Sequence, residues 1–198
     1  MQSTLLDFWF GPLANPEDFN RDRYLMWFQN GRAFDQTIRE RFGELWRQAE
    51  AGLLDDWAIT PVGRLALILL LDQVSRHIHR GAPLAFAQDQ RAQALTLEGM
   101  AKGDDTALLP IQRLFFYLPL EHAEDLGLQQ QSVAAFTRLR NEAPPALKKD
   151  CEGFLDYAIR HQKVIAHFGR FPDLNVILGR DSTPEEWAFL QEPGSSFL

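Results

Sequence analysis

The sequence predicts an all-α chain of antiparallel helices packed in pairs, and three observations carry that expectation. Apolar residues recur at three- and four-residue steps: Phe34, Ile38, Phe42, Leu45, Trp46 and Ala49 form one stripe. Phe154, Tyr157, Ala158, His161, Val164, Ile165 and Phe168 form another. Helix-start and helix-stop residues punctuate these stripes and leave short loops between them. No segment alternates apolar and polar residues between hairpin turns, so strands have no support.

Taken in order, helices are expected near 3–10, 17–30, 32–51, 61–79, 84–102, 106–118, 126–141, 145–168 and 183–191. Asn15-Pro16 marks the second start, and Gly52 stops the third helix. Thr60-Pro61 supplies a cap followed by proline at the first helical position, where its missing N–H costs nothing. Gly81 ends that helix with Pro83 just beyond. Gly103 ends the next, and Asp104/Asp105 open its successor. Pro119 should end or kink the apolar helix it interrupts. Pro144-Pro145 marks another start, and Thr183-Pro184-Glu185-Glu186 forms a capping box. Only 169–182 is left as a long connector. Starts fall at irregular intervals, so no strict repeat is visible.

At 198 residues and 22.7 kDa the chain suits a single domain with a substantial core. Size scaling gives roughly 9,500 Å² of folded surface, enough burial to need no disulfide or metal staple. Hydrophobic residues at 45% and charged ones at 24% disfavour disorder and coiled coil. The halves carry 10 basic and 13 acidic residues, then 10 and 14. Neither is a basic lobe, which argues against a nucleic-acid partner. The lone cysteine, Cys151, excludes an intramolecular disulfide and reads as a buried bystander thiol. The longest apolar run, Leu65 to Leu71, is far short of the roughly 20 residues a membrane span needs. Asp7 lies in the first apolar stretch with no basic lead, unlike a signal peptide, so a soluble cytoplasmic protein is expected. The crowded aromatics (Phe8-Trp9-Phe10, Trp27-Phe28, Trp46, Trp57) read as helix packing, because base stacking would need a positive groove beside them.

Phosphate-binding glycine loops, dinucleotide fingerprints, nucleophile elbows and zincin pairs are missing, and no cofactor is implied. His77 and His79, two apart, lie about 200° round a helix, so no local histidine metal site is expected. Three segments hold the candidate chemistry. The first places Asp72, Arg76 and Arg80 on one face at four-residue steps, either as a local ion pair or as an arginine pair for a carboxylate or phosphate. The second, Pro119 to Asp125, gathers Glu121, His122, Glu124 and Asp125 at a proline-marked helix end, where carboxylates and an imidazole suit acid–base work. The third runs from Arg160 to Thr183. It brings His161, Arg170, Asn175 and Arg180 into a glycine- and proline-bent connector before a capped helix. A structural ion-pair network, an anion site and a catalytic site all fit these residues.

At these segments the chain resembles a bacterial family, domain of unknown function 924. The resemblance rests on Leu6-Asp7-Phe8-Trp9-Phe10-Gly11, Trp27-Phe28, Phe34-Asp35, Asp72-Gln73 with Arg76 and Arg80, and Pro119-Leu120-Glu121-His122 with Glu124-Asp125 and Gln129. It continues in Phe168-Gly169-Arg170-Phe171-Pro172, Asn175, Leu178-Gly179-Arg180 and Ser182-Thr183. The family is similar in fold to tetratricopeptide-like helical proteins, which implies stacked helical hairpins and leaves the activity open. Asp173-Leu174 stands where the family usually reads His-Arg, Val74-Ser75 where it reads Phe-Pro, and Ala123 where a serine is common.

The expectation is therefore a tetratricopeptide-like single domain that binds a small anionic molecule or a peptide carboxylate. Arg76, Arg80, Arg170 and Arg180 would hold the ligand, with Glu121, His122, Glu124, His161 and Asn175 around them. The alternatives are a hydrolase or transferase with His122 or His161 as general base and an arginine as electrostatic stabiliser, Glu121 being a further catalytic candidate, and a protein-interaction scaffold. The sequence is silent on oligomeric state.

Overall fold

Helices form close to where the punctuation places them, with the most apolar stretch at the centre. A computed structural model describes residues 1–197, which contain helices and no strand. The α-helices are α1 (Gln2–Phe10), α2 (Arg21–Tyr24), α3 (Asp35–Glu50), α4 (Pro61–Leu69), α5 (Ser75–Ile78) and α6 (Asp89–Lys102). They continue with α7 (Pro110–Glu121), α8 (Leu126–Glu142), α9 (Lys148–Phe168), α10 (Asn175–Leu178) and α11 (Pro184–Phe189). The exposed surface is 9676 Å², in line with the size scaling.

α4 begins as expected, with Thr60 accepting from the Gly63 N–H (3.1 Å) and Pro61 in the first turn. Leu65 through Leu71 are all fully buried, because α1, α3, α6 and α7 pack around this segment. A helix apolar all round belongs in such a centre. Between α4 and α5 the chain makes a π-helical turn, Leu70–Val74. That wider turn accommodates one extra residue, and Asp72 sits within it, fully buried. The spacing of apolar residues gave no hint of the π turn.

Gly99 lets α6 approach this centre. A Cβ there would lie 2.5 Å from both Arg64 Cδ and Phe116 Cζ. Arg64 cannot retreat: its head donates to Asp104 (2.8 Å), Ala58 O (2.8 Å) and Leu95 O (3.2 Å) and is 1% exposed. Gly99→Ala should therefore destabilise the fold by about 1–3 kcal/mol, read as a lower urea midpoint at unchanged m-value.

The helix expected from 84 starts only at Asp89, after a 3₁₀ turn, Pro83–Phe86, and three further boundaries differ for local reasons. Asn15-Pro16 does not start a helix; Asp18 instead accepts from the Ala14 and Asn15 N–H groups (2.6 and 2.8 Å) and closes a turn. The cap of α2 is Asn20, which accepts from Asp22 N–H. Asp104/Asp105 open only a 3₁₀ turn, Asp104–Ala107, and α7 starts at Pro110. Asp105 is buried there as the acceptor of the Tyr117 hydroxyl (2.6 Å) and of Arg138. Pro119 does not end α7. It costs the bond that would reach back to Phe115, yet only one turn remains, and His122 N–H closes it on Leu118 O at 2.9 Å. Pro119, Leu120 and Glu121 are all buried, so core packing carries the helix through.

Phe8, Trp9, Phe10, Trp27 and Trp46 are core, while Trp57 is partly buried and Phe28 is exposed at 43%. Trp9, Phe10, Trp27 and Phe28 gather on Phe115, with ring centroids 4.7 to 6.2 Å away, and Trp27 Nε1 donates to Trp9 O (3.1 Å). α7, α8 and α9 follow one another through short turns and pack side by side. Asp125 caps α8 by accepting from Leu128 N–H (2.8 Å). The long connector is itself ordered. It folds into a 3₁₀ turn, Pro172–Leu174, and α10, before the Thr183/Glu186 capping box starts α11. This end has its own small cluster: Val164, Ile165 and Phe171, with Phe168, Leu174, Phe189 and Phe197 packed on it.

Candidate active site

The corner after α7 and the connector before α11 do meet, but through internal pairing. Arg180 forks onto Glu124 (2.6 and 2.8 Å), and Glu124 also accepts from Phe171 N–H (2.8 Å). Arg170 forks onto Glu186 (2.6 and 2.8 Å), the capping-box glutamate, which takes the Thr183 N–H as well (2.7 Å). Asn175 is spent bridging Arg180 Nε (2.9 Å) and Ser182 Oγ (3.0 Å). With the Arg170 guanidinium and the Thr183 N–H on it, Glu186 is held down at about 2.

The other two arginines are also taken. Arg80 forks onto Asp35 (2.6 and 2.8 Å), which accepts from His77 Nδ1 too (2.7 Å). Arg76 forks onto Asp89 (2.8 and 2.9 Å) and reaches Asp72 at 3.0 Å. Arg76, Arg80, Arg170 and Arg180, expected to hold an anion, each face a carboxylate of their own chain, so a guest would compete with an internal bidentate partner. Asp89 and Asp35 are distant in sequence from the arginines they neutralise, and no spacing rule pointed to them. Glu186 was legible only as half of a capping box.

A different set of groups converges one layer deeper. His122 Nδ1 lies 2.8 Å from Asp72 Oδ1, while Gln73 Nε2 donates to Asp72 Oδ2 at 2.7 Å. Burial pushes the Asp72 carboxyl up, but Arg76, His122 and Gln73 outweigh it and hold it far below the usual carboxylate range. Ionised Asp72 requires the proton of His122 on Nδ1, which in the neutral imidazole leaves the lone pair on Nε2. The His122 side chain is 19% exposed, and through it the cluster reaches the surface.

Glu121, the neighbouring residue, is 2% exposed. Burial, with the Asp72 charge nearby, drives its carboxyl up to about 8. Across from it, His161 is 3% exposed and donates Nδ1–H to Tyr157 O (2.9 Å). Burial takes the His161 imidazole down to about 3. Glu121 Oε1 stands 3.7 Å from His161 Nδ1, close enough to suggest an ion pair. The geometry contradicts that. The Nδ1 proton is already committed to the carbonyl, so a neutral imidazole faces a protonated carboxyl. Residues 72, 121, 122 and 161 thus combine one fixed negative charge, one oriented imidazole, one carboxylic acid and one neutral imidazole.

His77 with Asp35 looks like a second copy of the Asp72–His122 pair, yet it differs. His77 is 5% exposed, sits edge-on to Trp9, and shares Asp35 with the Arg80 fork. Burial lowers its pKa. It is a closed structural knot. Cys151 is 2% exposed, and burial pushes its thiol up to about 11, which suits the bystander role expected of it. Among the described residues, no three His, Cys, Asp or Glu side chains are placed to hold a metal ion. No helix among them is long and apolar enough to cross a membrane.

Fold and site together define an all-helical protein with a buried acid–base cluster where the central helix, the end of α7 and α9 meet. The chain belongs to a family described as bacterial protein of unknown function (DUF924), whose model matches residues 5–194. It is also similar to a solved protein of unknown function from Agrobacterium tumefaciens. The two are 33% identical, with a TM-score of 0.80 over 96% of each chain. No curated protein matches.

Proposed function

We propose that the chain is a general acid–base enzyme of hydrolase or transferase type, with His122 as base and Glu121 as acid. The observation that carries this reading is the contrast between two adjacent residues at one helix end. His122 is aimed by an ionised aspartate, and Glu121 keeps its proton to about 8. Two neighbouring carboxyls pushed in opposite directions, Asp72 down and Glu121 up, are the pattern of divided acid–base roles. His122 Nε2 would take the proton of water or of a substrate hydroxyl as it attacks. Asp72 would stabilise the imidazolium that results, and Glu121 would protonate the departing group. The proton on His122 then returns to Glu121 through solvent, and the cycle closes. His161, neutral and 3.7 Å from Glu121, would line the acid side.

The test is a panel of chromogenic carboxylic esters, phosphate esters and glycosides offered to the purified full chain. His122→Asn and Glu121→Gln should each lower kcat on any substrate turned over, by about 100-fold or more. Turnover of none of the panel, or equal turnover by His122→Asn, would overturn the assignment.

A further inference from the structure

His161 is not open to solvent, because a later segment of the same chain lies over it. The Phe197 ring stacks on the His161 ring, centroids 3.7 Å apart and planes 26° from parallel. Two further rings stand edge-on to Phe197: Tyr157 at 5.5 Å and Phe171 at 5.9 Å. The Arg160 guanidinium covers both Phe197 (5.8 Å) and Tyr157 (5.3 Å), and its Nη2 donates to Gly194 O (2.9 Å). Asp173 fixes the backbone: its Oδ2 accepts from Phe197 N–H (2.8 Å) and from Ser196 Oγ (3.1 Å). The slot therefore reads two features, an aromatic side chain and the N–H of the same residue.

Besides the slot, the segment is tied down at Ser195, which is buried and donates its hydroxyl to Leu190 O and its N–H to Glu192 O (both 3.3 Å). Phe197 is half-buried and packs on the small cluster around Phe171, not on the main core. Tyr157 and Asp173 remain partly accessible, so the walls do not close over the occupant. A three-ring box with one acceptor for a backbone N–H is a common way to recognise an extended peptide through an anchor residue.

We propose that Tyr157, His161, Phe171 and Asp173 form a peptide-binding slot for an aromatic residue, and that segment 195–197 is its displaceable occupant in cis. The slot borders the acid–base cluster through His161, so its occupant decides whether that side of the cluster is covered. The proposal does not rest on catalysis by Glu121 and His122, and the experiment below reads no turnover.

The test uses the full chain. Diethyl pyrocarbonate, which acylates neutral imidazoles, is added, and each histidine's rate is followed by peptide mapping. In the wild type His161 should react slowly while His167, 58% exposed at its side chain, reacts freely. Phe197→Ala should speed His161 at least tenfold with His167 unchanged. Asp173→Ala, which leaves every ring in place, should speed it as well. A synthetic peptide copying residues 192–198 should then restore protection of His161 in Phe197→Ala, and the same peptide with alanine for its phenylalanine should not. Far-UV circular dichroism confirms that both variants are folded; if Phe197→Ala is not, the rate of His161 in Asp173→Ala decides. Unchanged His161 reactivity in the folded variants would overturn the plug. Accelerated reactivity that the aromatic peptide fails to reverse would overturn the recognition slot.

Discussion

Asp72→Ala should lower the melting temperature by about 6–12 °C, the equivalent of about 3 kcal/mol in a chain of this size. Asp72 is fully buried in the π turn after α4 and carries Arg76, His122 and Gln73 on its two oxygens. Removing one partner of a buried ion pair costs about 3–5 kcal/mol, because the desolvated partner is left uncompensated. The lower end applies here, since Arg76 keeps its fork on Asp89. Asp72→Asn should cost less, as it retains an acceptor for His122 and a side chain of the same shape. Both variants should also ease the Glu121 carboxyl back toward its ordinary range, since the Asp72 charge helps to hold it up. A calorimetric loss under about 1 kcal/mol for Asp72→Ala would mean the hub carries no structural weight.

The second large effect is a change in pH dependence. The folded pKa of Glu121, about 8, lies above the ordinary glutamate value of 4.5. Its neutral form is therefore the one that suits the fold. The contribution is intact below pH 4.5 and is lost as the pH rises through 8. His161 runs the other way: depressed to about 3 from 6.5, it contributes fully above pH 6.5 and loses that contribution as the pH falls. Between pH 6.5 and 8 the imidazole is neutral in both states, so Glu121 dominates the slope in this cluster. The unfolded chain binds one proton fewer there, and stability should fall by about 1.4 kcal/mol per pH unit. Glu121→Gln removes that group. Its urea stability should be nearly flat from pH 6.5 to 8 and should exceed the wild type's at pH 8 by about 4 kcal/mol. Parallel slopes for the two proteins would refute the protonated state.

Helix periodicity and capping chemistry made the framework readable from residues alone. Thr60-Pro61 and Thr183–Glu186 start helices where their side chains said they would, because a cap is settled within four residues. Pro119 misled because its cost is local and fixed, while the burial of Leu120 and Glu121 just after it is a tertiary effect. The candidate site was legible as a set of residue types, not as a set of partners. Asp72 with Arg76 follows from four-residue spacing, whereas Asp72 with His122 spans fifty positions and only the packing of α7 on the central helix creates it. The arginines were the densest basic group in an acidic sequence, so they drew attention. What decides their role is the carboxylate opposite each one, and those carboxylates come from elsewhere in the chain. Glu121 looked like one of several corner acids; its burial sets it apart.

The most direct measurement is an infrared titration of the wild type against Glu121→Gln. A protonated carboxyl gives a carbonyl stretch that carboxylates lack. At pH 6 that band should be present in the wild type and missing from the variant, and it should vanish with a midpoint near the value of about 8 set by burial beside Asp72. If the two spectra coincide in that region at pH 6, Glu121 is already ionised, and the acid half of the pair does not exist.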